Sequence, residues 1–138
     1  MSRQKDKGTR FETDLVEWLR ENGFPDARRE VLHGSKDAGD IGGVTWNGWK
    51  VVIEAKDCKQ LRPTAWLEEA EEERKNAGAA IAFVVAHRKG CGEKRFGENY
   101  AYIDLTHLAT LMNAKNYPTG YAILRLETVA ALLRGDYE

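Results

Sequence analysis

The sequence predicts an α/β fold, a mixed β-sheet flanked by helices on both faces, and three observations carry that prediction. An amphipathic helical repeat opens the chain; an Asn-Gly pair joins two strand-like runs; and a helical segment separates that hairpin from a further apolar run, as in a βαβ crossover. At 138 residues, 42% hydrophobic and 31% charged, the chain has material for one core but not two, so residues 1–138 read as a single domain.

Phe11, Leu15, Trp18 and Leu19 recur at helical spacing and set a first helix over about residues 8–22, with Gly23 at its C-terminal cap and Pro25 beyond the stop. A short strand is expected over 29–32, and the glycine-rich HGSKDAGDIGG reads as a loop. Residues 41–46 and 49–55 form the two arms of a hairpin, because Asn47-Gly48 strongly favours a type I′ turn, with Trp46 and Trp49 as a cross-strand pair beside it. Pro63 opens a helix to about residue 76, with Trp66, Ala70 and Ala77 on one stripe and the glutamates largely on the other face. The apolar run 79–87 reads as a buried strand parallel to the second hairpin arm. Short strands over 100–103 and 121–126 and helices over 105–112 and 128–133 complete the chain.

The charges nearly cancel, 21 basic against 22 acidic, but they are segregated. Acid gathers in LEEAEEER, with Glu68, Glu69, Glu71, Glu72 and Glu73; base gathers from Arg3 to Arg10, at Arg28-Arg29 and in HRKGCGEKR. A near-neutral total can therefore hide a basic face, although any one cluster alone also fits a solvated surface. Cys58 and Cys91 lack CxxC spacing and are too few for a disulfide framework or a structural zinc site. His33, His87 and His107 are scattered without metal-ligand spacing and read as surface or hydrogen-bonded side chains. The longest apolar stretch, 78–86, is about half of the ~20 residues that cross a bilayer, and the N-terminus has no apolar signal core, so the expectation is a cytoplasmic protein without membrane contact.

The residues with chemistry to offer are Asp40, Glu54 and Lys56. Strand alternation puts Glu54 and Lys56 on one face with Val52, and Val51, Ile53 and Ala55 on the other. A half-exposed strand carrying a neutralising Glu/Lys pair is one reading. The hairpin register tests it: a regular ladder from Asn47-Gly48 puts Asp40 opposite Ala55, on the wrong face from Glu54. One bulge at Gly42-Gly43, or an equivalent kink at Gly39, brings Asp40 opposite Glu54. Two carboxylates facing each other across a ladder repel by a few tenths to about 1 kcal/mol, a cost a divalent cation reverses. Carboxylates with the Ala55 carbonyl and water are hard oxygen ligands, suited to Mg²⁺, for which Mn²⁺ substitutes, and not to zinc. The Lys56 ammonium, on the Glu54 face, could then orient the attacking water or stabilise charge developing on a scissile phosphate.

Asp40 in a Gly-Asp-Ile setting, followed 14 residues later by Glu54-Ala55-Lys56, resembles the signature of PD-(D/E)xK nucleases, with Gly39 where that pattern often has proline. KGTRFETDLVEWLRENGF, with Lys7, Gly8 and Glu12, is similar to the opening helix of archaeal-type Holliday junction resolvases, and the likeness runs over roughly the first 90 residues. It implies a restriction-endonuclease-like sheet, a third metal-site carboxylate at Glu12, a basic strand at Arg28-Arg29, and a loop at Ser35 whose Gly-Ser order inverts the family's Ser-Gly. AWLEEAEEER followed by AFVVAHRKG also resembles resolvase-type endonucleases of actinobacterial phages, which implies a phage-encoded protein acting in the host cytoplasm.

The expectation that follows is a Mg²⁺-dependent endonuclease, working as a homodimer on branched DNA such as a four-way junction. Asp40, Glu54, the Ala55 carbonyl and Glu12 serve the metal, and Lys56 positions the nucleophile. Lys7, Arg10, Arg28, Arg29, Ser35, Lys36, Arg88, Lys89, Lys94 and Arg95 face DNA. A restriction-like or repair nuclease acting on duplex, flap or single-stranded DNA would use the same residues, and a non-catalytic DNA-binding module of the same fold is the alternative outside enzymes. Without the resemblance Glu12 reads as an exposed acid on an amphipathic helix. Among the helix glutamates Glu69 is the candidate for a supporting role, and none is firmly assigned.

Overall fold

The first helix, α1 (Arg3–Glu21), starts five residues before the expected residue 8, because residues 3–7 are polar and carry no apolar spacing by which the sequence could mark them. The computed structural model describes residues 3–30 and 40–136, with side chains from residue 8 onward. The expectations at residues 31–39, among them the end of the 29–32 strand, His33, Ser35, Lys36 and a kink at Gly39, lie outside the described residues, as does the Lys7 side chain.

Strands β1 (Arg28–Arg29), β2 (Ile41–Gly42), β3 (Thr45–Trp46) and β4 (Trp49–Lys56) follow, then α2 (Pro63–Ala77), β5 (Ile81–Ala86), a 3₁₀ turn (Glu93–Glu98), β6 (Tyr100–Asp104), α3 (Leu105–Met112), β7 (Tyr121–Arg125) and α4 (Leu126–Arg134). The sheet runs β1-β2-β4-β5-β6-β7, with β3 also on β4. Among the described strands only β4 and β5 pair in parallel, joined through α2, so the sheet is mixed as the order of elements predicted.

Period-2 alternation along β4 divides the core. Val51 and Ile53 join Phe83 and Val85 beneath α1 and α4, where Phe11, Leu15, Leu126 and Val129 pack; Val52 and Val84 join Tyr102 beneath Trp66 and Ala70 of α2. Every residue of β5 is buried, as a central strand covered on both faces requires. The 3₁₀ turn has no counterpart among the elements expected from sequence, where HRKGCGEKR stands out only as a basic cluster. Phe96 pins it by packing 5.6 Å from the Phe11 ring, and a lone aromatic in a polar stretch leaves no periodic signature.

The hairpin matches its expectation in detail. Asn47 and Gly48 have φ of 50° and 82°, and the ladder pairs Trp46 with Trp49 and Thr45 with Lys50. The tryptophans differ in role: Trp46 leans on the core, whereas Trp49 is 59% exposed. Beyond Val44, whose carbonyl accepts from the Val51 N–H at 3.1 Å, the register slips by one and Ile41 pairs with Ile53. Gly42 and Gly43 thus stand against Val52 alone, the predicted bulge. Gly43 sits at φ +80°, and a Cβ there would lie 1.9 Å from the Asp26 carbonyl oxygen. Only glycine meets both demands.

Candidate metal centre

The bulge brings the end of β2 to the end of β4. Asp40, just before β2, donates its N–H to the Ile53 carbonyl at 3.2 Å and accepts at its own carbonyl from the Glu30 N–H at 2.8 Å. Its carboxylate Oδ2 accepts from the Ala55 N–H at 2.8 Å, so the side chain is held against the end of the ExK strand. In a strand the N–H and C=O of one residue point to the same side. The Ala55 carbonyl therefore faces the edge on which Asp40 lies.

Glu54 occupies the other face of β4 from Ile53 and Ala55, toward α2. It is only 2% exposed, and its Oε1 is buried without a hydrogen-bond partner among the described residues. That overturns the half-exposed-strand reading, as does Lys56, whose Nζ lies 3.6 Å from Glu69 Oε2 on α2. A buried acceptor left unsatisfied costs roughly 1–3 kcal/mol, more when charged, and asks for an explanation.

Glu54, Glu69 and Glu73 bring carboxylate oxygens within 4.8 Å of one another. Ionised carboxylates at that separation repel by on the order of 3 kcal/mol per pair at an effective dielectric of about 20. Hard anionic oxygens converging on a buried orphan acceptor are the donor set of a divalent cation, and this group could hold one.

The sequence expectation that the α2 glutamates lie largely away from the apolar stripe fails at Glu73. Glu73 is buried at 3% exposure, on the same side as Trp66 and Ala70. The signal was present: positions 66, 70, 73 and 77 follow the i, i+4, i+7, i+11 spacing of one helix face, and an acid among them is a buried acid.

Glu12 on α1 is half-buried and bonded through Oε2 to Arg29 at 3.0 Å, so it is not the exposed acid of the residue-only reading. Burial, then the negative charge of Asp40, raises its carboxyl pKa above the ordinary range, while Arg29 and Lys56 pull it down. Glu12, Asp40 and Lys56 thus share one electrostatic neighbourhood.

The expected DNA-facing residues divide. Lys89 and Lys94 are exposed, as is Arg10. Arg28 pairs with Glu30 at 3.4 Å, Arg29 with Glu12, and Arg95 with Glu98 at 2.7 Å; the Arg88 guanidinium lies over the Tyr100 ring at 5.4 Å. A cleft of about 460 Å³ between α1 and the 3₁₀ turn includes Arg10 but also Asp14, Glu17, Asp57 and Glu93 in its lining, a charge balance unsuited to phosphate. In that wall the His87 Nδ1 lies 3.2 Å from Asp57 Oδ1 and the ring packs on Phe11; His107 Nε2 lies 2.9 Å from Glu71 Oε2. Both are hydrogen-bonded histidines, as expected. Among the described residues no helix is long and apolar enough to cross a membrane.

No protein-family model and no curated protein matches the chain. Among solved structures it matches Hjc, a Holliday junction resolvase from the archaeal hyperthermophile Archaeoglobus fulgidus, with 22% sequence identity and a TM-score of 0.55. The match covers 89% of this chain and 99% of that one. At this identity the likeness is one of architecture, and it agrees with the mixed seven-stranded sheet between helices built up above. The chain therefore shares with this Holliday junction resolvase its fold, a restriction-endonuclease-like mixed sheet flanked by helices.

Proposed function

We propose that the protein is a Mg²⁺-dependent endonuclease that cuts four-way DNA junctions by phosphodiester hydrolysis, acting as a homodimer. The observation that carries this reading is the buried carboxylate oxygen of Glu54 near the end of β4, which has no hydrogen-bond partner among the described residues, with the Asp40 carboxylate fastened to the neighbouring Ala55 N–H. A sheet gains nothing by burying an acid there unless a cation neutralises it.

Asp40, Glu54 and the Ala55 carbonyl would hold the cation, with Glu12 as a further carboxylate from α1. When bound, Mg²⁺ supplies a Lewis acid for the phosphoryl oxygen and makes water a stronger nucleophile at neutral pH. The chain's own residues do the rest. The bulge aims Asp40, and Glu12 lies in the same electrostatic neighbourhood as Asp40 and Lys56. Lys56 offers an ammonium that can leave Glu69 for the phosphate. Arg10, Lys89 and Lys94 are exposed cations for the DNA backbone.

The restriction-like and repair readings would use these residues equally well, and so would a non-cutting DNA-binding module for its basic surface. Labelled four-way junction, flap and linear duplex, incubated with the protein in Mg²⁺, Mn²⁺ or EDTA, separate the three. Junction cutting that requires metal and exceeds duplex cutting at least tenfold is the expected result. Equal cutting of duplex removes the resolvase reading, and binding without cutting in either metal removes the enzyme.

A further inference from the structure

We propose that Glu54, Glu69 and Glu73 form a second divalent-cation site on the α2 side of the sheet, sharing Glu54 with the one assigned to Asp40, and that filling it draws Glu69 away from Lys56. The nuclease reading assigns Glu54 from the β4 side and has no use for the two α2 glutamates. Yet the oxygens of all three lie within 4.8 Å of one another, close enough to ligate one ion.

Acid clusters on helices are common and by themselves mean nothing. Here a second observation points to a ligand: Glu54, which offers an oxygen to the group, is only 2% exposed, and its Oε1 is buried with no hydrogen-bond partner among the described residues. The surroundings favour a hard ion over water. Val52, Val84, Trp66 and Ala70 form the apolar cluster on this same side of the sheet, and carboxylate oxygens in such surroundings suit a hard cation.

Glu69 is the exposed member and gives the ion a way in. It already attracts a cation, since Lys56 Nζ lies 3.6 Å from its Oε2. Recruiting Glu69 as a ligand therefore removes the partner of Lys56. In the nuclease reading, on which this consequence rests, the freed ammonium is the group that meets phosphate, so the α2 site would couple ion occupancy to readiness for cutting. The existence of the site does not depend on that reading.

Titrating the metal-free full-length protein with Mn²⁺, with free ion followed by electron paramagnetic resonance, tests the site without any activity assay. Wild type is expected to bind two ions per chain, Asp40→Asn to keep one, and Glu69→Gln and Glu73→Gln each to weaken that retained class at least tenfold while sparing the Asp40-dependent ion. Glu69 is exposed, so Glu69→Gln decides the matter if Glu73→Gln does not fold. A single ion lost in Glu69→Gln but kept in Asp40→Asn still supports the α2 site and instead removes Asp40 from the metal in the nuclease reading. An unchanged titration in Glu69→Gln overturns the proposal, as does one ion lost alike in all three variants. For the Lys56 step, the ¹³C-methyl signal of reductively methylated Lys56 should shift on adding Mg²⁺ to wild type and stay fixed in Glu69→Gln. A signal that ignores Mg²⁺ in both contradicts the release.

Discussion

Single side chains in this protein are set by burial and by one or two charged neighbours. Asp40, Glu54 and Lys56 were legible from sequence because strand alternation and hairpin register are arithmetic. Glu73 was misplaced because a charge in a helical stripe was counted with the polar face instead of by its position. Glu71 shows how a carboxylate outside the candidate site acts on stability. Its hydrogen bond to Arg74, with further help from His107, lowers its pKa from 4.5 to about 2. A depressed acid stabilises the fold above its ordinary value and loses that contribution as pH falls through its folded value. Wild type should therefore lose stability between pH 4.5 and about 2 partly through Glu71, and Glu71→Gln should flatten that limb when unfolding is followed against pH. An unaltered acid limb would remove the assignment.

Among the elements, the bulged hairpin matters most, since it alone decides whether Asp40 reaches Glu54's end of β4. The turn and the bulge were both readable, the first from Asn47-Gly48 and the second from the need to repair the register with two adjacent glycines. The 3₁₀ turn was not readable, because its anchor is one phenylalanine packing across the chain on α1. Gly43→Ala should be costly. Positive φ alone contributes about 1–3 kcal/mol, and the added Cβ would meet the Asp26 carbonyl oxygen at 1.9 Å, forcing the strand to move. Denaturant unfolding should show a lower midpoint, and cleavage should fall further than stability accounts for because Asp40 shifts with the strand. A variant as stable and active as wild type would mean the bulge does not set the site.

At the scale of the whole molecule, the order of strands and the parallel β4–β5 crossover followed from the sequence of elements, because a helix between two strands of one sheet has few places to go. The near-zero net charge was the misleading quantity. What counts for DNA is which cations stay exposed, and Arg28, Arg29 and Arg95 spend their charge on neighbouring acids. Exchanging both Lys89 and Lys94 for alanine should weaken junction binding at all sequences and reduce the slope of log affinity against log salt by about 1–2, one per lost phosphate contact. No change in slope would place the DNA elsewhere. The proposed paired cutting requires two copies, so sedimentation should give about twice the chain mass of 15.6 kDa.

The central claim is that the buried carboxylate of Glu54 holds the cation that lets this fold hydrolyse DNA. The measurement that meets it most directly compares wild type with Glu54→Gln on a labelled four-way junction in Mg²⁺, reading binding and strand cleavage from the same samples. The account predicts paired incisions by wild type and at least a hundredfold slower cutting by Glu54→Gln with binding retained; equal cutting by the two proteins would contradict it.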